Sequence, residues 1–175
     1  MPLPTLLALV FYIAFIVAHR LFELRSSARN ERRLGDRGGY EVGGSHFPLF
    51  VILHTLYPIA LAAEVVFRGA RPGPLWPLWL ALLGAAEALR VQVHRALRER
   101  WTVRIWVVPG LPRVTGGIYR WLRHPNYVAV TLELFAGSML FGAGRTALAA
   151  SALNLAVLLI RIPAEERALA EAAQG

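Results

Sequence analysis

FPLFVILHTLYPIALAAEVVF, residues Phe47 to Phe67, decides what kind of protein this is. The stretch runs for 21 residues without Arg or Lys. At 1.5 Å per residue a helix of that length covers the roughly 30 Å hydrocarbon core of a bilayer. It reads as a transmembrane helix, the clearest in the chain. Two residues in it are out of keeping with lipid. Glu64 is an ionisable group inside an apolar helix, which flags function by default, and His54 suits a hydrogen bond to a neighbouring helix.

Working outward toward the N-terminus, Arg20 to His46 is a charged segment containing RSSARNERRLGDRGG. Its first half extends a first helix and its glycines break it. Before it, Leu3 to Ala18 is an uncharged apolar run closed by His19, Arg20, Glu23 and Arg25. It lacks the basic start and small-residue cleavage site of a signal peptide. Toward the C-terminus, Arg68 to Pro74 is a Gly/Pro turn, and Leu75 to Leu89 opens a third helix that continues through Arg100. Within that helix Glu87, Arg90 and His94 fall at i, i+3 and i+7, so they share one face, expected to look inward. Pro109, Gly110, Pro112, Gly116 and Gly117 then break the chain. Tyr127 to Phe141 and Thr146 to Ile162 are the last apolar runs, and the four-residue link GAGR makes them an antiparallel hairpin. GAGRTA, Gly142 to Ala147, fits a dinucleotide-binding fingerprint, but no strand precedes it, so it reads as the hairpin turn. Several runs are shorter than the roughly 20 residues of a spanning helix, a shortfall that snorkelling Arg side chains and polar helix extensions cover. A re-entrant last pair is the alternative. The expectation is a single all-α integral membrane domain over residues 1–175, with about five transmembrane helices, the last two a short hairpin, and a motif-bearing half at about 89–170.

Composition agrees. Of 175 residues, 56% are hydrophobic, and the mean hydropathy is +0.47. The absence of cysteine removes disulfides, thiolate metal sites and a Cys nucleophile. No His has a second ligand at helical metal spacing, so no metal is expected. A net charge of +8 would in a soluble chain point to nucleic acid. Here all 19 basic residues are Arg, placed between apolar runs, which calls for the positive-inside rule and no nucleic-acid partner. Segments 19–46, 90–126 and 161–175 hold sixteen of them, while the opposite side has only Arg68, Arg71 and Arg145. The N-terminus is therefore expected outside and the C-terminus in the cytoplasm, in a membrane that the Ala, Gly and Pro content suggests is a bacterial inner membrane. Trp76 and Trp79 fall at the outer boundary, Trp101, Trp106 and Trp121 at the inner one. Oligomeric state leaves no signal.

The candidate site is GIYRWLRHPNY, Gly117 to Tyr127. Pro125 suits the first position of a helix, so Arg123, His124 and Asn126 stand where unpaired N–H groups attract an anion. Tyr119 and Tyr127 add flat faces for an aromatic ligand such as adenine. The alternative is that Arg, Trp and Tyr crowd a membrane interface for solvation alone. In RIPAEERAL, Arg161 and Glu165 are spaced i, i+4 on one helical face, at minimum as a surface ion pair. Glu133, in the fourth run, either contacts substrate or pairs with an Arg inside the bundle. Asn154 suits a helix-to-helix hydrogen bond.

Together these residues resemble the isoprenylcysteine carboxyl methyltransferase family of integral-membrane enzymes, which shows G-x-Y…R-H-P-x-Y before a short helical hairpin and R-x-x-x-E-E at its end. The likeness runs from Leu89 to Leu169. The first half, with ELRSSARNERRL and EVGGSHFPL, is more similar to a bacterial branch that sits beside polyketide synthases and methylates long-chain alkylpyrone phenols. The resemblance implies S-adenosylmethionine bound at the cytoplasmic face. Its contacts would come from Tyr119, His124, Pro125, Asn126, Tyr127 and Glu165, and from the loop Leu111, Pro112, Arg113 and Val114. Arg104 occupies the position of another polar contact, where animal members carry an amide. Arg161 corresponds to the substrate-binding Arg, which with Glu165 makes up the expected catalytic pair. The implied acceptor is lipophilic, an alkylpyrone or phenolic lipid or an isoprenylcysteine-like carboxylate, entering sideways from the bilayer. A phospholipid amine is the runner-up, and a non-enzymatic bundle binding anionic lipids the reading from another class. A carboxylate nucleophile needs no base, whereas a phenol would lose its proton to Glu165 or His124.

Overall fold

The computed structural model describes residues 2–173. Five helices carry the chain: α1 (Leu3–Gly35), α2 (Phe47–Arg68), α3 (Trp76–Leu97), α4 (Pro125–Leu140) and α5 (Gly144–Ala172). The 33 residues of α1 make it about 50 Å long, so it projects well beyond a hydrocarbon core. Arg32 and Arg33 occupy its last turn, where cations complement the helix dipole. The buried positions of α1, namely Leu9, Ile16, Glu23, Ser27, Asn30 and Leu34, form one stripe at helical spacing. Leu3, Leu7 and Phe11 stand exposed on the rest of it. Ile52, Leu56 and Ile59 do so on α2, and Leu148, Leu155 and Leu159 on α5. An apolar exterior of this extent belongs in lipid.

Length and composition mark three helices, α1, α2 and α5, as able to cross a membrane. This narrows the expectation of five spans. At 16 residues α4 is about 24 Å long, short of the hydrocarbon core. The second half of α3 carries Glu87, Arg90, His94 and Arg95. The last two helices are also not the short hairpin expected, because α5 runs for 29 residues, through Pro163 to Ala172.

The short α4 is the centre of the bundle, packed between α3 and α5. Its buried face is small, with Ala129, Ala136, Gly137 and Ser138. A side chain at Gly137 would collide with the Tyr12 hydroxyl of α1 and crowd the Tyr57 hydroxyl of α2, so glycine there permits the close approach. Leu53, Tyr57, Leu61 and Val65 of α2 complete this core with Leu9, Ile16, Val130 and Leu134. The α4–α5 link is Phe141 to Ala143, with Gly142 at φ 71°. Glu64 accepts hydrogen bonds from the Arg145 N–H (3.2 Å), the Thr146 N–H (2.7 Å) and the Thr146 hydroxyl (2.7 Å). Its carboxylate thus caps the start of α5, which accounts for an acid in an apolar helix.

One element departs from the all-helical expectation. Tyr40–Val42 (β1) pairs antiparallel with Ile105–Val107 (β2), in register Tyr40 with Val107, Glu41 with Trp106 and Val42 with Ile105. Three-residue strands are too short to show an alternating pattern in sequence. The ribbon packs against Ala168 and Ala172 at the end of α5, and the Gly110 N–H reaches the Ala172 carbonyl at 2.8 Å. The loops before α2 and before α4 therefore gather with the end of α5 at one end of the bundle.

Candidate active site

At that end the chain turns into α4. Gly117, at φ 61°, opens a short 3-10 turn over Gly117–Arg120 that holds Tyr119. His124 immediately precedes α4 and makes no side-chain capping bond to it, and Pro125 occupies its first turn. The His124 ring stacks on Tyr127 with centroids 5.4 Å apart and planes 18° from parallel.

Tyr127 is the joint of the site. Its hydroxyl accepts a hydrogen bond from Arg161 Nε at 2.8 Å and donates to the Glu165 carboxylate. Arg161 and Glu165 are thus coupled through a phenol, and among the described residues they form no direct ion pair. Nor is the Arg161 end of this pair at the surface. Arg161 is 6% exposed, its Nη2 donates to the Val103 carbonyl, and its guanidinium lies 4.7 Å from the Phe50 ring centroid. Stacking over a ring and two fixed hydrogen bonds hold the guanidinium in one orientation.

Glu166, which the sequence reading passed over, organises the other side. It accepts from Arg113 Nη1 at 2.9 Å and 3.1 Å and from Arg123 Nε at 3.0 Å, with His124 Nε2 2.8 Å away. The available signal was the second acid of the EER triplet. Arg100 donates to the Pro112 carbonyl at 2.7 Å and so shapes the loop before Tyr119. Burial pushes the Tyr119 hydroxyl pKa up, Glu165 adds to the rise and Arg113 opposes it, so the phenol stays protonated. Arg104 pairs with Glu41 of β1 at 2.8 Å and lies over the Phe47 ring at 4.4 Å.

Two cavities meet here. The first, about 130 Å³, is lined by ten of the anticipated residues: Arg104, Leu111, Arg113, Val114, Tyr119, His124, Asn126, Tyr127, Arg161 and Glu165. Pro112 and Pro125 act through the backbone instead, one as Arg100's acceptor and the other as the buried start of α4. The second, about 180 Å³, lies deeper, with Phe47, Phe50 and His54 of α2, Arg20 and Glu23 of α1, and Asn154 of α5. Trp101, Asn126, Tyr127 and Arg161 line both. A third space, an open groove between α1 and α2, shares Arg20, His54 and Thr55 with the second and is otherwise apolar.

Beside the second cavity lies a buried ring of charge. Arg90 is 1% exposed and donates to Glu23 at 2.8 Å and to Glu133. Arg20 donates to the same two acids at 2.7 Å and 2.9 Å. Two guanidinium groups thus alternate with two carboxylates across α1, α3 and α4, each charge paired and hydrogen-bonded as low dielectric requires. Of the two readings of Glu133, pairing with Arg is the one this geometry realises, and its side chain lines neither cavity. The inward face of α3 is as expected, with His94 3.8 Å and Arg90 2.8 Å from Glu23.

The chain is 33% identical over 159 residues to the uncharacterized protein YpbQ of Bacillus subtilis (strain 168), covering 91% of this chain and 95% of that one. It is 31% identical over 157 residues to an uncharacterized protein of Haemophilus influenzae, covering 89% and 91%. No solved structure matches. Residues 79–171, from the start of α3 to the end of α5, match the isoprenylcysteine carboxyl methyltransferase (ICMT) family, whose methyl donor is S-adenosylmethionine. With its Arg161, Tyr127 and Glu165 joined in the segment that the family model matches, the chain belongs to the isoprenylcysteine carboxyl methyltransferase family.

Proposed function

We propose that the protein is an S-adenosylmethionine-dependent O-methyltransferase that works at the membrane on a lipophilic acceptor. The observation that carries this reading is the pair of cavities meeting at Trp101, Asn126, Tyr127 and Arg161. A polar ligand in one and an apolar ligand in the other would touch only there.

The residues of the first cavity fit the cofactor. The start of α4 and Arg113 suit its carboxylate. Glu165 and the ring of Tyr127 suit a sulfonium. Asn126 Oδ1 has no hydrogen-bond partner among the described residues, and it offers an acceptor to the amine groups. When bound, S-adenosylmethionine supplies an electrophilic methyl group for in-line transfer, a reaction governed by positioning and exclusion of water. Arg161, fixed by Tyr127 and Phe50, would orient the acceptor oxygen. A carboxylate arrives ready to react. A phenol or enol passes its proton to Glu165, which is 29% exposed and so in reach of solvent, or to His124.

The second cavity would hold an alkylpyrone or phenolic-lipid head, or an isoprenylcysteine-like carboxylate, with its tail in the α1–α2 groove that opens to lipid. The site end carries sixteen of the nineteen arginines, which supports a cytoplasmic site with the N-terminus outside. The test is transfer of labelled methyl from S-adenosylmethionine by the detergent-purified protein to an alkylpyrone and to a farnesylated Cys analogue in parallel. Labelling of either supports the reading and chooses the nucleophile. No labelling together with no cofactor binding sinks it.

A further inference from the structure

We infer that a groove between the end of α3 and the turn before α4 binds the phosphate of an anionic phospholipid, drawn from the leaflet at this end of the bundle. The inference rests on the chain spanning a membrane and is independent of the methyltransferase reading.

The groove, about 450 Å³, is walled on one side by Gln92, Arg95 and Arg98 and on the other by Val114 and the turn at Gly116 to Ile118. Its two sides touch, since a side chain on Gly117 would come within 3.6 Å of the Ala96 methyl group. It shares only Val114 with the first cavity and nothing with the second. No acid lines it. Arg90, Arg100 and Arg104 are committed to Glu23, the Pro112 carbonyl and Glu41. Arg95 and Arg98 are exposed and have no side-chain partner among the described residues. The adjacent Glu99 is held elsewhere, by Arg33 at 2.7 Å and Arg37 at 3.3 Å.

Arg98 also stands in a strained backbone. At φ 51° it is the one non-glycine residue of positive φ among the described residues, a region that side chains rarely enter. Its carbonyl is fixed by the Trp101 N–H at 3.2 Å, with Asn30 Nδ2 of α1 3.4 Å away. Glycine would adopt this conformation freely, so an arginine here points to a use for its guanidinium.

The surroundings select a phospholipid as the occupant. One face of α3 runs from the exposed Ala88 and Val91 to Arg95, apolar and then basic at helical spacing. That order matches an acyl chain followed by a headgroup. Trp121, 81% exposed just beyond the turn, is the kind of ring that settles at headgroup level. A phosphate can accept from both guanidinium groups, whereas a zwitterionic headgroup also brings an ammonium that they repel. A soluble anion makes no use of the apolar strip.

The test is native mass spectrometry of the full chain released from nanodiscs holding phosphatidylglycerol and phosphatidylcholine in equal amounts, with identical acyl chains. Wild type should retain phosphatidylglycerol in about tenfold to thirtyfold preference, the strength of two arginines at an anionic surface. Arg95→Gln with Arg98→Gly removes both charges and suits the backbone, and should bring the ratio below about threefold. Arg95→Gln alone, an exposed change, should already lower it about threefold if the pair does not fold. Arg98→Lys, which keeps the charge, should hold the wild-type preference. The control is Arg25→Gln with Arg29→Gln on α1, exposed positions at the same depth, since Glu23 meets Arg90 and Asn30 meets Arg98; the ratio should not change. No preference in wild type, a preference that survives in the folded groove variant, or an equal fall in the control overturns the inference. So does displacement of the lipid by sn-glycerol 3-phosphate, which would make the ligand a soluble phosphate.

Discussion

Tyr127→Phe removes one oxygen from the joint of the site and leaves the ring stacked on His124. The two hydrogen bonds lost are unequal. Arg161 is 6% exposed, so water cannot readily replace the hydroxyl at Nε, and a hydrogen bond to a charged group in such a place is worth about 1.5–3 kcal/mol. Glu165 is 29% exposed, and water can take over on that side for little cost. The loss should therefore be that of the Arg161 bond alone. In a chain of this size it amounts to a fall of roughly 3–12 °C in the melting midpoint in detergent. The discriminating assay is a pair of double-mutant cycles. Combined with Arg161→Met, Tyr127→Phe should show coupling above about 1 kcal/mol; combined with Glu165→Gln, coupling below about 0.5 kcal/mol. A larger coupling to Glu165, or an unchanged midpoint, would refute the view that burial decides which bond matters.

Arg161→Ala should abolish methyl transfer while cofactor binding, measured by calorimetry, falls by no more than a few fold, because Arg161 faces the acceptor cavity as well as the first. His124→Ala, by contrast, removes the ring stacked on Tyr127 and a partner of Glu166, so cofactor affinity should drop by about tenfold, the equivalent of one such contact. Arg90→Met should destabilise the protein by about 3–5 kcal/mol by leaving two buried carboxylates, Glu23 and Glu133, to share the one guanidinium of Arg20, and adding Glu23→Gln should recover part of it in the same thermal melt. Glu64→Gln should cost about 1 kcal/mol, read as a modest fall in melting midpoint with methyl transfer untouched, since its carboxylate caps α5 at the end away from the site.

The lesson for reading such chains lies in which residues were legible. The start of α4 was, because Pro125, the residues flanking it and the rings of Tyr119 and Tyr127 act within a few positions of one another. The inward face of α3 was too, since Glu87, Arg90 and His94 are tied by helical spacing alone. Glu166 was passed over because its three partners, Arg113, Arg123 and His124, lie 42 to 53 positions away in the chain, across a loop with no periodicity. Arg161 and Glu165 were paired correctly by helical spacing but joined wrongly, because the phenol between them comes from another helix. Glu64 drew attention as an acid in an apolar helix, and only the packing of α5 against it shows that it is a cap.

What the amino-acid sequence determined by itself was therefore local and periodic: five helices, an apolar exterior suited to lipid, the uneven placement of arginine, and a motif at the mouth of α4. These follow from short-range sterics and from the solvation of single side chains. The tertiary structure decided which buried charges neutralise one another, that two short loop segments form a ribbon, and that two cavities meet at Trp101, Asn126, Tyr127 and Arg161. Those are long-range outcomes, set by which helix faces pack together, and hydropathy along a single chain carries no information about that choice.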